Sequence, residues 1–185
     1  MTRRSDETKA AILAAARSQF AANGFRGTTI RAIAADAAID PAMVMRYFGN
    51  KDGLFAAAVD TDLLLPDLVG VARSKLGETL VAHFIDRWEG DPGEVMLTLL
   101  RSAVSDDAAA DRMRTIFATQ LLPTVASAVD DPTTAPHRAG LIATQMLGLA
   151  LSRHLLRLPP VAEASRDELV RQIGPTVQRY LRHPL

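Results

Sequence analysis

Between Thr28 and Lys51 the sequence gathers a set of hydrogen-bond donors: the hydroxyls of Thr28, Thr29 and Tyr47, the guanidinium of Arg46 and the ammonium of Lys51. Groups of this kind bind phosphate oxygens, and a guanidinium also fits the acceptor edge of guanine. Pro41, Ala42 and Met43 stand among them, with apolar surface suited to thymine methyl groups. The chemistry on offer is non-covalent recognition of a nucleic acid. Catalysis has no comparable cluster. There is no cysteine, and so no thiolate nucleophile, disulfide or thiolate metal site. His83, His137, His154 and His183 lack metal-ligand spacing, and neither Glu-x-x-His nor His-Glu-x-x-His occurs. A Gly-x-Ser-x-Gly elbow and a glycine-rich phosphate loop are also missing. The residues predict no enzyme, no cofactor and no metal.

The donors need elements to carry them, and the local signals supply three helices. Ser5 can cap the first, Asp6 and Glu7 suit its positive end, and Asn23-Gly24 offers a left-handed stop, which predicts a helix over about 6 to 23. Ile12, Leu13, Ala16 and Phe20 recur along it at helical spacing. With Gly24 past the end, Phe25 and Phe20 take the two positions that touch in a Schellman motif. A second, short helix starts at Thr28 or Thr29 and turns Ile30, Ile33, Ala34 and Ala37 inward. Asp40-Pro41, a cap followed by proline at the first helical position, opens a third that runs to Phe48 and is closed by Gly49-Asn50. Asp40 is read as this cap, since a carboxylate facing phosphate is repelled, and Phe48 as core. Two helices a turn apart make a helix-turn-helix.

The run from Thr28 to Lys51 resembles the helix-turn-helix of tetracycline-repressor (TetR) family regulators. Ile12, Ala15-Ala16, Phe20, Gly24-Phe25 and Thr28-Thr29 resemble that family's first helix and the entry to its second. Gly24-Phe25, Thr28-Thr29, Ile33-Ala34, Ala37, Tyr47-Phe48 and Lys51 stand in one register, and the resemblance covers residues 8 to 55. It departs from the family at Ala38, where Gly is usual, at Asp40, where Ser or Thr is usual, and at Met45, where Tyr is common. The resemblance implies that Thr28, Thr29, Tyr47 and Lys51 lie on the phosphate-facing rim, with a capping role as the alternative for Thr28, core packing for Tyr47, and a solvated surface charge for Lys51 and Arg46. Base reading falls to the exposed start of the third helix, Pro41, Ala42 and Met43, with Arg46 one turn on, against guanine or phosphate.

The remainder is read as a second helical domain, 56 to 185 against 1 to 55, in an all-α chain of about nine helices. Alanine and leucine are abundant, β-branched runs bounded by turns are scarce, and 48 % hydrophobic residues suffice for a core. Helix 4 is expected from Lys51 to Pro66, followed by helices over roughly 74 to 89, 93 to 105, 107 to 129, 136 to 158 and 165 to 182. Asp91-Pro92-Gly93, Asp130-Asp131-Pro132 and Pro159-Pro160 mark boundaries, Ser165 with Glu168 forms a capping box, and Gly174-Pro175 is expected to kink the last helix. Ala139 to Leu158 is apolar around most of its circumference, with Ala139, Gly140, Ala143 and Gly148 permitting close approach. By resemblance, 136 to 158 and 165 to 182 form a homodimer interface, which sets two recognition helices against a palindromic operator. A small, largely apolar effector is implied in the second domain. Phe84, Trp88, Met96, Leu99, Leu100, Met113, Phe117, Gln120 and Leu121 are candidates to line its site, with plain core packing as the alternative for each.

Net charge is zero overall, but residues 1 to 55 hold eight Lys and Arg against five Asp and Glu, and the remainder is negative. So modest an excess argues against a purely electrostatic, non-specific DNA binder, the first alternative function. A ligand-independent adaptor is the second, and a helical-bundle enzyme the least favoured. Met1 to Lys9 is charged with no apolar region behind it, which predicts no secretory signal. Gln145, Arg153 and His154 interrupt the longest apolar stretch, so no membrane span is expected, and the lack of cysteine fits a cytoplasmic protein.

Overall fold

The alanine- and leucine-rich composition produces helices throughout. The computed structural model describes residues 2–90 and 93–184, the first three of them by backbone alone, and no strand occurs among the described residues. Its α-helices are α1 (Thr2–Gly27), α2 (Ile30–Asp36), α3 (Pro41–Phe48), α4 (Lys51–Ala58), α5 (Leu76–Glu89), α6 (Gly93–Ala103), α7 (Asp107–Ile116), α8 (Leu122–Ala128), α9 (Ala135–Ala150), α10 (Pro159–Ala162) and α11 (Arg166–Arg182). The chain divides into two compact units. One comprises Met1–Thr61 and Glu94–Met113, the other Asp62–Gly93 and Arg114–Leu185.

In the first unit α1, α2, α3 and α4 close around Ile12, Ala16, Phe20, Ile33, Ala34, Val44, Leu54, Phe55 and Ala58, all buried. Phe55 meets Phe20 and Phe25 edge-on, with ring centroids 4.9 and 5.0 Å away, geometry that favours aromatic pairs. Helix α1 begins at Thr2, so Ser5 is an interior residue and not the expected cap. Gly24 does break α1, at φ 67°, but its ψ of 177° is extended. The left-handed turn of a Schellman motif is therefore absent there, although Phe20 and Phe25 still stack at 6.0 Å. That motif closes α2 instead. Ile39 N–H donates to Ala34 O at 2.9 Å and Ala38 N–H to Ala35 O at 3.1 Å, with Ala38 held at φ 53°.

Helix α4 stops at Ala58, well short of Pro66. Asp62 and Asp67 accept from the backbone N–H of Leu64 and Val69, each at 2.9 Å, and such short side chains draw the backbone out of helical pairing. Within the second unit this connecting segment is tied down by helix side chains. Gln120 Oε1 accepts from Leu63 N–H at 2.7 Å, His83 Nε2 lies 2.8 Å from Leu63 O, and Arg87 donates to Asp62 O.

The second unit packs Leu76, Leu80, Val81 and Ile85 of α5 with Ala139, Ile142, Met146 and Leu149 of α9 and Leu169, Val177 and Leu181 of α11. Helices α5 and α11 touch backbone to backbone at Gly77 and Gly174, where a Cβ on Gly77 would lie 2.8 Å from Gln178 Cα. Ser165 and Glu168 form the expected capping box, and α11 continues through Pro175. The helix expected over 107 to 129 widens into a π-helical turn at Phe117–Leu121. Pro123, two residues on, has no N–H for Thr119 O and crowds it, which explains the wider turn. The helix expected to reach 158 ends in a second π-helical turn, Leu151–Leu155, and Pro159-Pro160 opens the short α10 that the sequence did not suggest. Of the expected boundary at Asp91-Pro92-Gly93, the first two residues lie outside the described ones. No helix among the described residues is long and apolar enough to cross a membrane.

Candidate nucleic-acid interface

Helix α3 has the bounds expected of it, and each follows from a local cause. The Asp40 carboxylate accepts from Ala42 N–H at 2.7 Å, and Pro41 lacks the N–H that a first-turn residue leaves unpaired. Gly49 takes φ 77° to end the helix, and Asn50 immediately caps α4 through Gly53 N–H at 2.7 Å. At the other side of the turn, Thr29 caps α2, its Oγ1 accepting from Ala32 N–H at 3.1 Å.

Pro41, Ala42, Met45 and Arg46 are exposed, Met43, Tyr47 and Phe48 are half-buried, and Val44 is buried. One side of α3 is anchored and the other is free. Met43 was expected at the surface and is partly withdrawn, while Met45, 44 % exposed, takes its place. Counting four residues from Pro41 finds Met45 on the same helical face, a signal present in the sequence. Phe48, expected as core, is half-buried as the last residue of α3.

The expected rim residues separate by burial. Thr28 is 1 % exposed, and its hydroxyl shares its one proton between Gln19 O at 2.9 Å and Gly24 O at 2.8 Å. A side chain so enclosed ties α1 to the turn and has no surface to offer a phosphate. Thr29 is exposed, and with its oxygen occupied by the cap its own proton remains to donate. Ser5 donates to the Tyr47 hydroxyl at 3.4 Å, while Lys9 and Arg46 each stand 5.5 Å from the Tyr47 ring centroid. The Ser5 hydrogen bond is the largest influence on the Tyr47 pKa and lowers it; burial opposes this, and Arg46 and then Lys9 add to the lowering, which prevails. A phenol polarised in this way is a stronger donor to an anion. No local signal marked Ser5 and Lys9, since their role arises only where α1 passes α3. Lys51 Nζ lies 4.5 Å from the Phe25 ring centroid and donates to Arg26 O at 3.5 Å, leaving two of its three N–H groups for a phosphate.

The residues considered for an effector fall in different units. Met96, Leu99, Leu100 and Met113 belong to the first, and Phe84, Trp88, Phe117, Gln120 and Leu121 to the second. In the second, Phe84 and Trp88 lie 5.3 Å apart, and His154, half-buried, stacks on Trp88 at 5.7 Å. Burial, then the Arg153 charge, lowers the His154 pKa. No group of three or more His, Asp or Glu that could hold a metal occurs among the described residues.

Residues 12–58 match the model of bacterial regulatory proteins of the tetR family, and residues 74–181 match the tetracyclin repressor-like C-terminal domain. An HTH-type transcriptional repressor of Mycobacterium tuberculosis is 37 % identical over 82 residues, which is 44 % of this chain and 43 % of that protein. One from Streptomyces coelicolor is 39 % identical over 59 residues, 32 % of this chain and 31 % of the relative. The matched stretches thus span less than half the length of these curated relatives. Among solved structures, a TetR-family regulator from Streptomyces coelicolor A3 has a TM-score of 0.71 and 29 % identity, with 94 % of each chain covered. A transcriptional regulator from Rhodococcus sp. Rha1 shares the fold at a TM-score of 0.66 and 22 % identity, over 94 % of this chain and 95 % of that one. With both family models matched in order along one chain, this protein belongs to the tetR family of bacterial regulatory proteins.

Proposed function

We propose that this chain is a sequence-specific DNA-binding transcriptional repressor working as a homodimer in the cytoplasm. Residues 1–55 bind DNA, and 56–185 carry dimerisation and the response to a small, largely apolar effector. The observation that carries the reading is α3 itself. It is capped at both ends and anchored by Val44, and it shows solvent a continuous face ending in a cation. Such a helix fits the major groove, and Thr29, Tyr47 and Lys51 at its flanks supply phosphate donors that fix its depth and direction. Arg46 reads guanine or holds phosphate.

The exposed side of α9 and of the π-helical turn that follows it, with Thr144, Gly148 and Leu151, supports a partner copy against 136–158 and 165–182, whose two-fold axis repeats α3 on a palindromic operator. Effector control requires the ligand to favour one spacing of the two heads, since equal affinity for both shifts nothing. Phe84, Trp88, Phe117 and Leu121 give the second unit apolar surface for such a ligand. Selection of genomic fragments bound by the purified protein tests the central statement. Enrichment of an inverted repeat supports it, and enrichment no greater than on random DNA refutes it. A monomer in sedimentation at micromolar concentration would remove the dimer from the proposal.

A further inference from the structure

We infer that the protein recognises its operator through the C5 methyl groups of thymines, with Met45 as the side chain that reads them. This rests on the DNA-reading function proposed above and specifies which feature of the bases that function detects. Pro41, Ala42, Met45 and Arg46 are the exposed residues of α3. At 100° per residue they fall within one arc of about 140°, opposite buried Val44 and half-buried Met43 and Tyr47, with half-buried Phe48 beside Pro41 at the edge of the arc.

Three of those four residues are apolar, and Arg46 is the one polar group. The arc has no Asn or Gln to pair with adenine and no carboxylate to accept from cytosine N4. Asp40 precedes the arc, and one of its oxygens is committed to Ala42 N–H at 2.7 Å. The thymine methyl is the base feature such a surface distinguishes, because among the four bases only thymine presents a methyl group in the major groove. Met45 is also unusual in its surroundings. Among the described residues up to Thr61 it is the large apolar side chain left exposed, whereas Ile12, Phe20, Ile33, Val44, Leu54, Phe55 and Val59 are all buried. Its unbranched thioether adjusts to a methyl group, and Ala42, one turn before it, is small enough to let the helix approach the base edges.

The test begins with a duplex selected by the full chain from random DNA. Each thymine is then replaced singly by deoxyuridine, which removes the methyl and leaves the pairing intact. Affinity is read by fluorescence anisotropy for the native protein and for Met45→Ala. One or more thymines in each half-site should weaken binding by about four-fold on replacement, the equivalent of one buried methyl. Met45→Ala, with an unchanged melting temperature, should bind the thymine and deoxyuridine duplexes alike at that position. If every deoxyuridine duplex binds the native protein as tightly as the thymine duplex, the inference is overturned while DNA reading stands. Retention of the full deoxyuridine effect by Met45→Ala removes Met45 from the role. If no sequence is selected at all, DNA reading fails and this inference with it.

Discussion

Ala38 should be improved by glycine. It occupies the left-handed position of the Schellman turn between α2 and α3 at φ 53°, where a Cβ crowds the following carbonyl oxygen. That conformation costs an L-residue about 1–2 kcal/mol, while glycine loses about 0.4–1 kcal/mol more chain entropy on folding than alanine. Ala38 is exposed, so removing its methyl sacrifices no packing. The difference leaves Ala38→Gly more stable by about 0.7 kcal/mol, near the middle of a range that reaches zero at its lower end. With an m value of about 2 kcal/mol/M the urea midpoint should rise by about 0.3 M at unchanged slope. Helical circular dichroism followed through a urea titration measures this. Ala38→Asn separates the two contributions, since asparagine tolerates the left-handed region without glycine's entropy, and it should stabilise as well. Ala38→Val, β-branched at positive φ, should lower the midpoint. A fall in midpoint for both Gly and Asn would show that the turn holds no relievable strain.

Arg46→Ala should weaken binding to the cognate operator by about 1–3 kcal/mol if the guanidinium reads a base, and a competition assay in which every sequence weakens equally would reassign Arg46 to phosphate. Asp40→Ser keeps a good cap and removes a carboxylate next to the DNA, so it should tighten binding, most visibly at low salt; an unchanged affinity across a salt titration would place Asp40 away from the phosphates. Gly77→Ala would drive a methyl into the backbone of Gly174 and Gln178 and should destabilise the protein by about 1–3 kcal/mol in urea, whereas a native-like midpoint would mean that α5 and α11 separate freely. Arg166 grips Asp86 at 2.6 and 2.7 Å and holds its pKa below the ordinary carboxylate value. That depression contributes stability above the unfolded-state pKa and loses it as pH falls through the folded one. The urea midpoints of native protein and Asp86→Asn should therefore differ at neutral pH and draw together as pH falls below the ordinary carboxylate range; a gap that stays the same size throughout would contradict the pairing.

Much of the first unit was legible because its signals are local. Asp40, Pro41 and Gly49 each act on their own backbone, so the sequence alone sets both ends of α3. Thr28 and Thr29 carry the same hydroxyl and differ in role only because the chain's path beyond Gly24 turns Thr28 under α1. Periodicity from Pro41 to Met45 was readable, but choosing between Met43 and Met45 required knowing that Val44 and Phe48 face inward. The end of α4 was lost to Asp62 and Asp67, whose turns override an apolar stretch otherwise suited to helix. In the second unit, the approach of Gly77 to Gly174 joins residues far apart in sequence, and nothing beside either glycine announces it.

The uneven legibility follows what each part must do. A charge held near a phosphate tolerates an ångström of misplacement, but contact with a methyl does not, because dispersion fades within a gap of 0.5–1 Å. A recognition face made largely of Pro41, Ala42 and Met45 therefore needs a backbone fixed on every side. Around α3 the chain supplies a cap at Thr29, a strained turn at Ala38, a cap at Asp40, a left-handed stop at Gly49 and a cap at Asn50. Tyr47, held between Ser5, Lys9 and Arg46, adds a tie to α1. The caps and the glycine stop name their residue types, which is why the sequence betrays them, whereas the turn at Ala38 and the neighbours of Tyr47 carry no such mark. An effector site would ask only for apolar surface in the right place, a demand with no local conformational mark, so Phe84, Trp88, Phe117 and Leu121, proposed for that role, read in the sequence as ordinary core.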